Sequence, residues 1–128
     1  MEHRIAVITG AAGGLGSHLV RRLTASGALV CGVDVKAPVE RIEGVTYIEA
    51  DLTDQGGVEQ VYRQLSPLGR IDLLVNAAGA FRADPDMNEA WDVFRRMLNG
   101  NTVTTVMVTL RLEELLARGQ DPLVLNIA

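Results

Sequence analysis

The stretch "TGAAGGLG", residues 9–16, constrains the fold of this chain more than any other feature. It begins at the end of a short apolar run, "IAVIT", and leads into Leu15, Leu19 and Leu23, whose spacing is typical of one face of a helix. Glycines between a strand and a helix permit a tight turn, a close approach of a ligand to the backbone and close helix packing. Free amides and the helix dipole at such a turn favour phosphate. The context predicts an anion-binding turn, with a plain glycine-rich turn as the alternative.

Short apolar runs alternate with helical patterns along the chain, and each run reads as a strand. The predicted strands are 5–9, 28–33, 45–50, 71–77 and 123–128. Their nearly continuous apolar character is typical of strands with both sheet faces covered. Alternating strands and helices imply a parallel sheet with right-handed crossovers. We therefore predict one α/β domain over 1–128, a Rossmann-like doubly wound sheet of order 3-2-1-4-5, truncated after the fifth strand, with its ligand crevice where the order reverses.

The last helical pattern, residues 91–116, carries the polar stretch Asn99-Gly100-Asn101 in its middle. Asn and Gly inside a helix each cost up to about 1 kcal/mol relative to Ala. We therefore expect the helix to be strained, kinked or broken at this stretch. Asp86 and Glu89 have the spacing of a capping box at its start.

Composition excludes several classes of protein. The chain has 12 Lys and Arg residues and 16 Asp and Glu residues, for a net charge of −4. The basic residues are scattered along the sequence, so no basic patch indicates a nucleic-acid partner. The single cysteine, Cys31, excludes an internal disulfide, fits a reducing compartment and lies in an apolar run that predicts a buried, inert thiol. No apolar stretch approaches the roughly 20 residues needed to span a bilayer, and no signal peptide is recognisable. We expect a cytoplasmic protein with no membrane partner.

Asp34 closes the second predicted strand, in "VCGVDVK". A carboxylate at that position can accept hydrogen bonds from both ribose hydroxyls in the adenosine half of a dinucleotide, and it repels a 2′-phosphate. The glycine turn holds no basic residue that would reverse this preference, although Lys36 is close in sequence. Asp34 therefore predicts NAD rather than NADP as cofactor, the alternative being an acid that merely caps a strand.

With these residues in place, the sequence resembles the short-chain dehydrogenase/reductase family. "TGAAGGLG" matches the family pattern T-G-x-x-x-G-x-G, and it also fits T-G-x-x-G-x-x-G of the extended, epimerase-like branch. "NAAG", Asn76 to Gly79, is the signature of the compact, dehydrogenase-like branch. The resemblance covers essentially the whole chain but only the N-terminal, cofactor-binding half of a usual family member.

The resemblance implies a set of site residues. Those implied to contact the cofactor are Gly10, Gly13, Gly14, Leu15, Gly16, Asp34, Asp51, Leu52, Asn76, Ala77, Ala78 and Gly79. Among them, Asp51 and Leu52 would lie beside the adenine ring. Asn101 matches the family's helical catalytic asparagine, which binds a water of a proton relay, with Asn99 as the other candidate and a simple helix break as the alternative. No metal ligands are implied.

The family's reaction is reversible hydride transfer between a nicotinamide and an alcohol or ketone carbon. The reaction needs a serine, and it needs a tyrosine followed four residues later by lysine. The lysine is needed because a phenol, whose pKa is about 10, acts as a base at neutral pH only beside a cation. The two tyrosines of this chain, Tyr47 and Tyr62, are followed at that spacing by Asp51 and Ser66, so we interpret both as packing residues. The 128 residues alone are therefore predicted to be inactive.

The chain ends on "LVLNIA", where the family's catalytic serine would follow. We interpret the chain as the NAD-binding part of a longer short-chain oxidoreductase acting on a small alcohol or carbonyl compound. A minimal or naturally half-length module, a split enzyme and a non-enzymatic dinucleotide-binding module are the alternatives. The uncovered last strand and the apolar face of the long helix predict a homo-oligomer.

Overall fold

Five parallel strands form one sheet in the computed structural model, which describes residues 1–81 and 86–128. The strands are β1 (Ile5–Thr9), β2 (Leu29–Asp34), β3 (Thr46–Glu49), β4 (Leu73–Asn76) and β5 (Leu123–Asn126). Their order is β3-β2-β1-β4-β5, and every neighbouring pair is parallel. The predicted fold class and strand order are confirmed. The order reverses between β1 and β4, so a crevice opens there at the carboxyl ends of the strands.

The helices connect the strands as crossovers. They are α1 (Gly14–Ala25), α2 (Gln55–Leu65), α3 (Ala90–Leu98) and α4 (Thr104–Ala117), with a 3-10 turn at Ser66–Leu68. Between α3 and α4, Asn99–Val103 form a π-helical turn, which we call the π turn. The interruption predicted at Asn99-Gly100-Asn101 is confirmed. Within the described residues, no helix is both long and apolar enough to cross a membrane.

The core consists of two apolar layers, one on each face of the sheet. Successive side chains of β1 point to opposite faces, so Ala6 and Ile8 enter one layer and Val7 enters the other. The layer with Ala6 packs against Val20 of α1, and the layer with Val7 packs against α2 and α4. β1 is covered on both faces, which explains why its sequence is continuously apolar.

Cys31 lies inside this core, as its sequence context predicts. The residue is 2% exposed. Burial disfavours the thiolate and raises the pKa of the thiol to about 11, so the sulfur stays protonated at neutral pH. The prediction of a buried thiol is confirmed.

The start of α3 differs from the prediction. The Asp86 carboxylate accepts a hydrogen bond from the Asn88 N–H at 2.9 Å, and the helix begins at Ala90 with Glu89 as its N-cap residue. The predicted capping box of Asp86 and Glu89 is therefore wrong. The physical reason is that the Asp86 side chain bonds a turn that precedes the helix, so α3 begins only at Ala90.

Candidate functional site

A crevice of about 510 Å³ lies at the carboxyl ends of the strands, where the strand order reverses. Eight of the predicted cofactor contacts line it: Gly10, Gly13, Asp34, Asp51, Leu52, Ala77, Ala78 and Gly79. The sheet therefore brings together residues from four separate segments of the sequence. Ala12, Thr53 and Gly100 also line the crevice, and the sequence motifs had not indicated a site role for them.

Two glycines of the turn are required by close backbone approaches. Gly10 has a φ of +68°, and a Cβ there would lie 2.6 Å from the Ala77 carbonyl oxygen. A Cβ on Gly16 would lie 1.9 Å from the Gly10 carbonyl oxygen. By contrast, a Cβ on Gly14 would meet nothing within 4 Å. Gly10 and Gly16 thus let α1 and the segment after β4 pack closely around the turn.

The N-terminus of α1 has the character of an anion site. Gly13 is its N-cap residue and supplies no side chain to bond the amides of the first turn, Gly14 to Gly16. The helix dipole favours negative charge at this end. Gly14, Leu15 and Gly16 do not line the crevice itself, and the Leu15 side chain is 49% exposed. Their contacts with a cofactor stay predictions.

Asp34 ends β2 and contacts the glycine turn directly. Its Oδ2 accepts a hydrogen bond from the Ala12 N–H at 2.9 Å, and its Oδ1 accepts one from the Val35 N–H at 2.7 Å. The carboxylate is half-buried and lines the crevice. An acid held by two amides presents its remaining lone pairs in a fixed direction.

Asp51 follows β3 on the same side of the crevice. Its Oδ1 accepts hydrogen bonds from the Thr53 hydroxyl at 2.6 Å and from the Thr53 N–H at 2.9 Å. These two bonds, the hydroxyl first, lower the pKa of the carboxyl, so it is ionised at neutral pH. Within the described residues, no group of His, Cys, Asp and Glu side chains is clustered as a metal site would require.

Thr9, at the end of β1, fixes the opposite wall of the crevice. Its buried hydroxyl oxygen accepts hydrogen bonds from the Ala77 N–H at 3.1 Å and the Ala78 N–H at 3.0 Å. The backbone of the "NAAG" segment is therefore held against the glycine turn. Thr9 begins the "TGAAGGLG" motif and was not among the predicted site residues. The available signal was a hydroxyl residue at a strand end directly before Gly10.

Asn76, the first residue of "NAAG", points away from the crevice. It is 2% exposed, and its Nδ2 donates to the Thr109 hydroxyl at 3.0 Å and to Asn126 Oδ1 at 2.9 Å. The side chain thus joins β4 to β5 and α4. Its buried Oδ1 has no hydrogen-bond partner among the described residues. The predicted contact of Asn76 with a cofactor stays a prediction, and this side chain does not line the crevice.

Asn101 lies in the π turn beside the crevice and contacts the segment that follows "NAAG". Its Oδ1 accepts a hydrogen bond from the Ala80 N–H at 2.9 Å, and its Nδ2 donates to the Ala80 carbonyl oxygen at 2.7 Å. A Cβ on Gly79 would lie 2.2 Å from Asn101 Oδ1, so a side chain there would displace the Asn101 amide. π-helical turns are frequent at functional sites. The catalytic role of Asn101 stays a prediction.

Comparison with known proteins places these features in a family. A family model described as short chain dehydrogenase matches residues 4–128. The chain is 31% identical to L-xylulose reductase of Mesocricetus auratus over 98% of its length and 52% of the enzyme. It is 28% identical to 2-dehydro-3-deoxy-D-gluconate 5-dehydrogenase of Escherichia coli over 100% of its length and 54% of that enzyme.

Solved structures show the same fold. A short chain dehydrogenase of Leptospira borgpetersenii with bound NAD+ superposes with a TM-score of 0.87 at 23% identity, covering 98% of this chain and 51% of that one. A short-chain dehydrogenase/reductase from Serratia marcescens superposes with a TM-score of 0.75 at 30% identity, covering 89% of this chain and 53% of that one. The chain spans about half the length of the relatives it matches. The family model, the relatives and the crevice agree that this chain belongs to the short-chain dehydrogenase family.

Proposed function

We propose that the chain binds NAD in the crevice and forms the cofactor-binding part of a short-chain oxidoreductase that acts on a small alcohol or carbonyl compound. The observation that carries the proposal is the placement of the Asp34 carboxylate against the glycine turn at the crevice, with the Ala12 amide 2.9 Å from its Oδ2. A phosphate-binding turn and a ribose-binding acid at one crevice are what an adenosine diphosphate group requires. The bound NAD+ of the Leptospira structure supports this reading.

Different residues of the crevice would contact different parts of the cofactor. The turn amides and the dipole of α1 would hold the diphosphate, and Asp34 would accept hydrogen bonds from the adenosine ribose. Asp51 and Leu52 would flank the adenine, and the backbone of Ala77 to Gly79 would face the second ribose. The cofactor would supply a nicotinamide carbon that gives or takes a hydride.

We further propose that NAD is preferred over NADP. The 2′-phosphate of NADP would bring two negative charges to the Asp34 carboxylate, and like charges at close range cost free energy. Lys36 is exposed near this position and would offset part of that repulsion. The preference for NAD should therefore depend on the Asp34 charge.

The chain alone should not turn over substrate. Neither tyrosine lines the crevice. Tyr47 accepts a hydrogen bond from the Ile42 N–H at 3.5 Å, and the Tyr62 ring packs under the Arg111 guanidinium at 3.4 Å. Both are held by structural contacts, so the proton-transferring tyrosine and lysine would come from further sequence of the parent enzyme. A non-enzymatic dinucleotide-binding module is the other candidate function. It is favoured by the absence of both tyrosines from the crevice lining and by the structural contacts that hold them.

Calorimetric titration tests the proposal. NAD should bind the chain more tightly than NADP, and Asp34→Ala should reverse or abolish that preference. Glu43→Ala removes an exposed acid from the connection between β2 and β3 and is the matched control, with the preference unchanged. Tighter binding of NADP by the unaltered chain, or no binding of either dinucleotide, would contradict the proposal. Joining the Tyr-x-x-x-Lys segment of a relative to the chain and assaying NADH oxidation separates an enzyme part from a binding module.

We also propose self-association and a cytoplasmic location. The outer face of α4 leaves Val106, Met107 and Leu110 between 46% and 59% exposed, and apolar surface of this kind is typical of interfaces. The single, buried Cys31 supports a reducing compartment.

A further inference from the structure

We propose that Asp34 is also a positioning residue that braces the glycine turn, so that it sets the affinity for the diphosphate as well as for the ribose. This inference rests on the proposed function. It concerns the diphosphate, which the Asp34 carboxylate would repel if charge alone set the affinity.

The brace consists of two hydrogen bonds from one carboxylate. Oδ2 receives the Ala12 N–H of the turn, at 2.9 Å, and Oδ1 receives the Val35 N–H, at 2.7 Å. The second bond fixes the carboxylate relative to the end of β2, and the first ties the middle of the turn to that fixed point. Hydrogen bonds to a charged acceptor are stronger than those between neutral groups.

The neighbouring residues extend the same contact. The Ala11 N–H donates to the Val33 carbonyl oxygen at 3.2 Å. The Ala11 side chain is 1% exposed, and a Cβ on Gly32 would approach it to 2.8 Å. Three consecutive residues of β2, from Gly32 to Asp34, therefore hold Ala11 and Ala12. An isolated glycine inside an apolar strand was the sequence signal for this close approach.

Asp34 can brace the turn and still accept hydrogen bonds from the ribose. An ionised carboxylate has about four acceptor positions, and the two amides use one on each oxygen. One position on each oxygen stays available for the ribose hydroxyls. The Ala12 amide, being occupied, orients the turn rather than contacting phosphate.

The direction in which anion affinity changes when the Asp34 charge is removed separates bracing from simple repulsion. Removing a negative charge near a binding site strengthens the binding of an anion, unless the charge was also holding the site in shape. Without the brace, the turn gains conformational freedom that the anion must then remove. Inorganic pyrophosphate is the suitable probe, because it has no ribose for Asp34 to contact.

The experiment titrates the full chain and its variants with pyrophosphate, followed by amide NMR shifts. Asp34→Ala should weaken pyrophosphate binding about tenfold, the order expected for one charged hydrogen bond. Asp34→Asn should weaken it as well, because the NH2 group that replaces one carboxylate oxygen cannot accept the amide hydrogen bond made there. Glu43→Ala, which removes the same charge from the connection between β2 and β3, should leave binding unchanged or slightly tighter. Unchanged or tighter binding in both Asp34 variants would overturn the brace.

Amide hydrogen exchange gives a second readout that needs neither ligand nor a folded variant. In the unaltered chain, the Ala12 amide should exchange at least tenfold more slowly than the exposed Gly14 amide at the start of α1, after correction for intrinsic rates. Equal protection of the two amides would overturn the brace even if Asp34→Ala failed to fold. Failure of the proposed function would appear differently, as absence of NAD binding with Ala12 still protected.

Discussion

The side-chain amide of Asn101 is hydrogen bonded to both backbone polar atoms of Ala80, at 2.9 and 2.7 Å. The pair joins the π turn to the segment that leaves β4, across 21 residues of sequence. Asn101 therefore holds one wall of the crevice whatever its part in catalysis.

Asn101→Ala should lower the free energy of unfolding by about 1–2 kcal/mol, because two neutral hydrogen bonds are lost at an exposed position. Urea unfolding followed by circular dichroism measures this change. Asn99→Ala is the matched control. Asn99 is exposed in the same turn, and alanine has the higher helix propensity. The unfolding free energy of the Asn99→Ala variant should therefore stay equal or rise.

Gly79→Ala should depend on Asn101, because the new Cβ would lie 2.2 Å from Asn101 Oδ1. The substitution should destabilise the unaltered chain and cost less in the Asn101→Ala background. Equal costs in the two backgrounds would contradict the contact.

A pair of glycine substitutions in α1 should have opposite effects. Gly16→Ala places a Cβ 1.9 Å from the Gly10 carbonyl oxygen, so either α1 or the turn must move. We expect a loss of at least about 2 kcal/mol in unfolding free energy and weaker NAD binding. Gly14→Ala meets no atom within 4 Å and should stabilise the helix by up to about 1 kcal/mol. Thermal unfolding and NAD titration of both variants check the contrast, and similar losses in the two would contradict it.

The sequence predicted the sheet because the inner strands β1, β2 and β4 are largely buried and are therefore nearly continuous in apolar residues. The boundaries were less accurate. The apolar run 28–33 stops one residue short of Asp34, whereas β2 includes Asp34, whose partner in register is Glu49 of β3. A polar residue at the carboxyl end of a parallel strand can still pair in the sheet, so hydrophobicity does not mark where the strand ends.

The sequence could not predict which way the polar residues of the site point. Asn76 and Ala77 are adjacent in one motif, yet Asn76 is buried under β5 and α4 while Ala77 lines the crevice. In a strand that is apolar on both faces, no alternation of polar and apolar residues shows which face a given position takes. The contacts of Thr9 with Ala77 and Ala78 depend on the pairing of β1 with β4, which is a tertiary property.

Asp72 should make the stability of the chain depend on pH. It accepts hydrogen bonds from the Ile5 N–H at 2.7 Å and the Gln120 N–H at 2.6 Å, with Arg70 Nε at 3.3 Å. Burial raises the pKa of this carboxyl, but the two amides and Arg70 outweigh burial and hold the pKa below its ordinary value. Because the folded state has the lower pKa, the stabilisation is complete above the unfolded value, about 3.9, and is lost as the pH falls through the folded value.

Asp72→Asn should therefore lower the unfolding free energy by about 2–4 kcal/mol at pH about 6 and by less at pH about 3. Urea unfolding at the two pH values measures both differences. Glu114→Gln is the control, because Glu114 pairs with Arg118 at the exposed surface of one helix. Its effect should stay below about 0.5 kcal/mol at either pH. An equal loss for Asp72→Asn at both pH values would show that charge is not what stabilises this contact.

The outer face of α4 should drive self-association. Leu110 is 59% exposed, beside Val106 at 47% and Met107 at 46%. Leu110→Lys would place a charge in any interface on this face, so sedimentation velocity should show a shift from a larger species to the monomer. Because the side chain is exposed in the single chain, the variant should unfold within about 0.5 kcal/mol of the original. Val39→Lys alters an apolar residue that is fully exposed on the connection between β2 and β3, and it should leave the association unchanged. A chain that sediments as a monomer before any substitution, or an equal response to both variants, would exclude α4 as the interface.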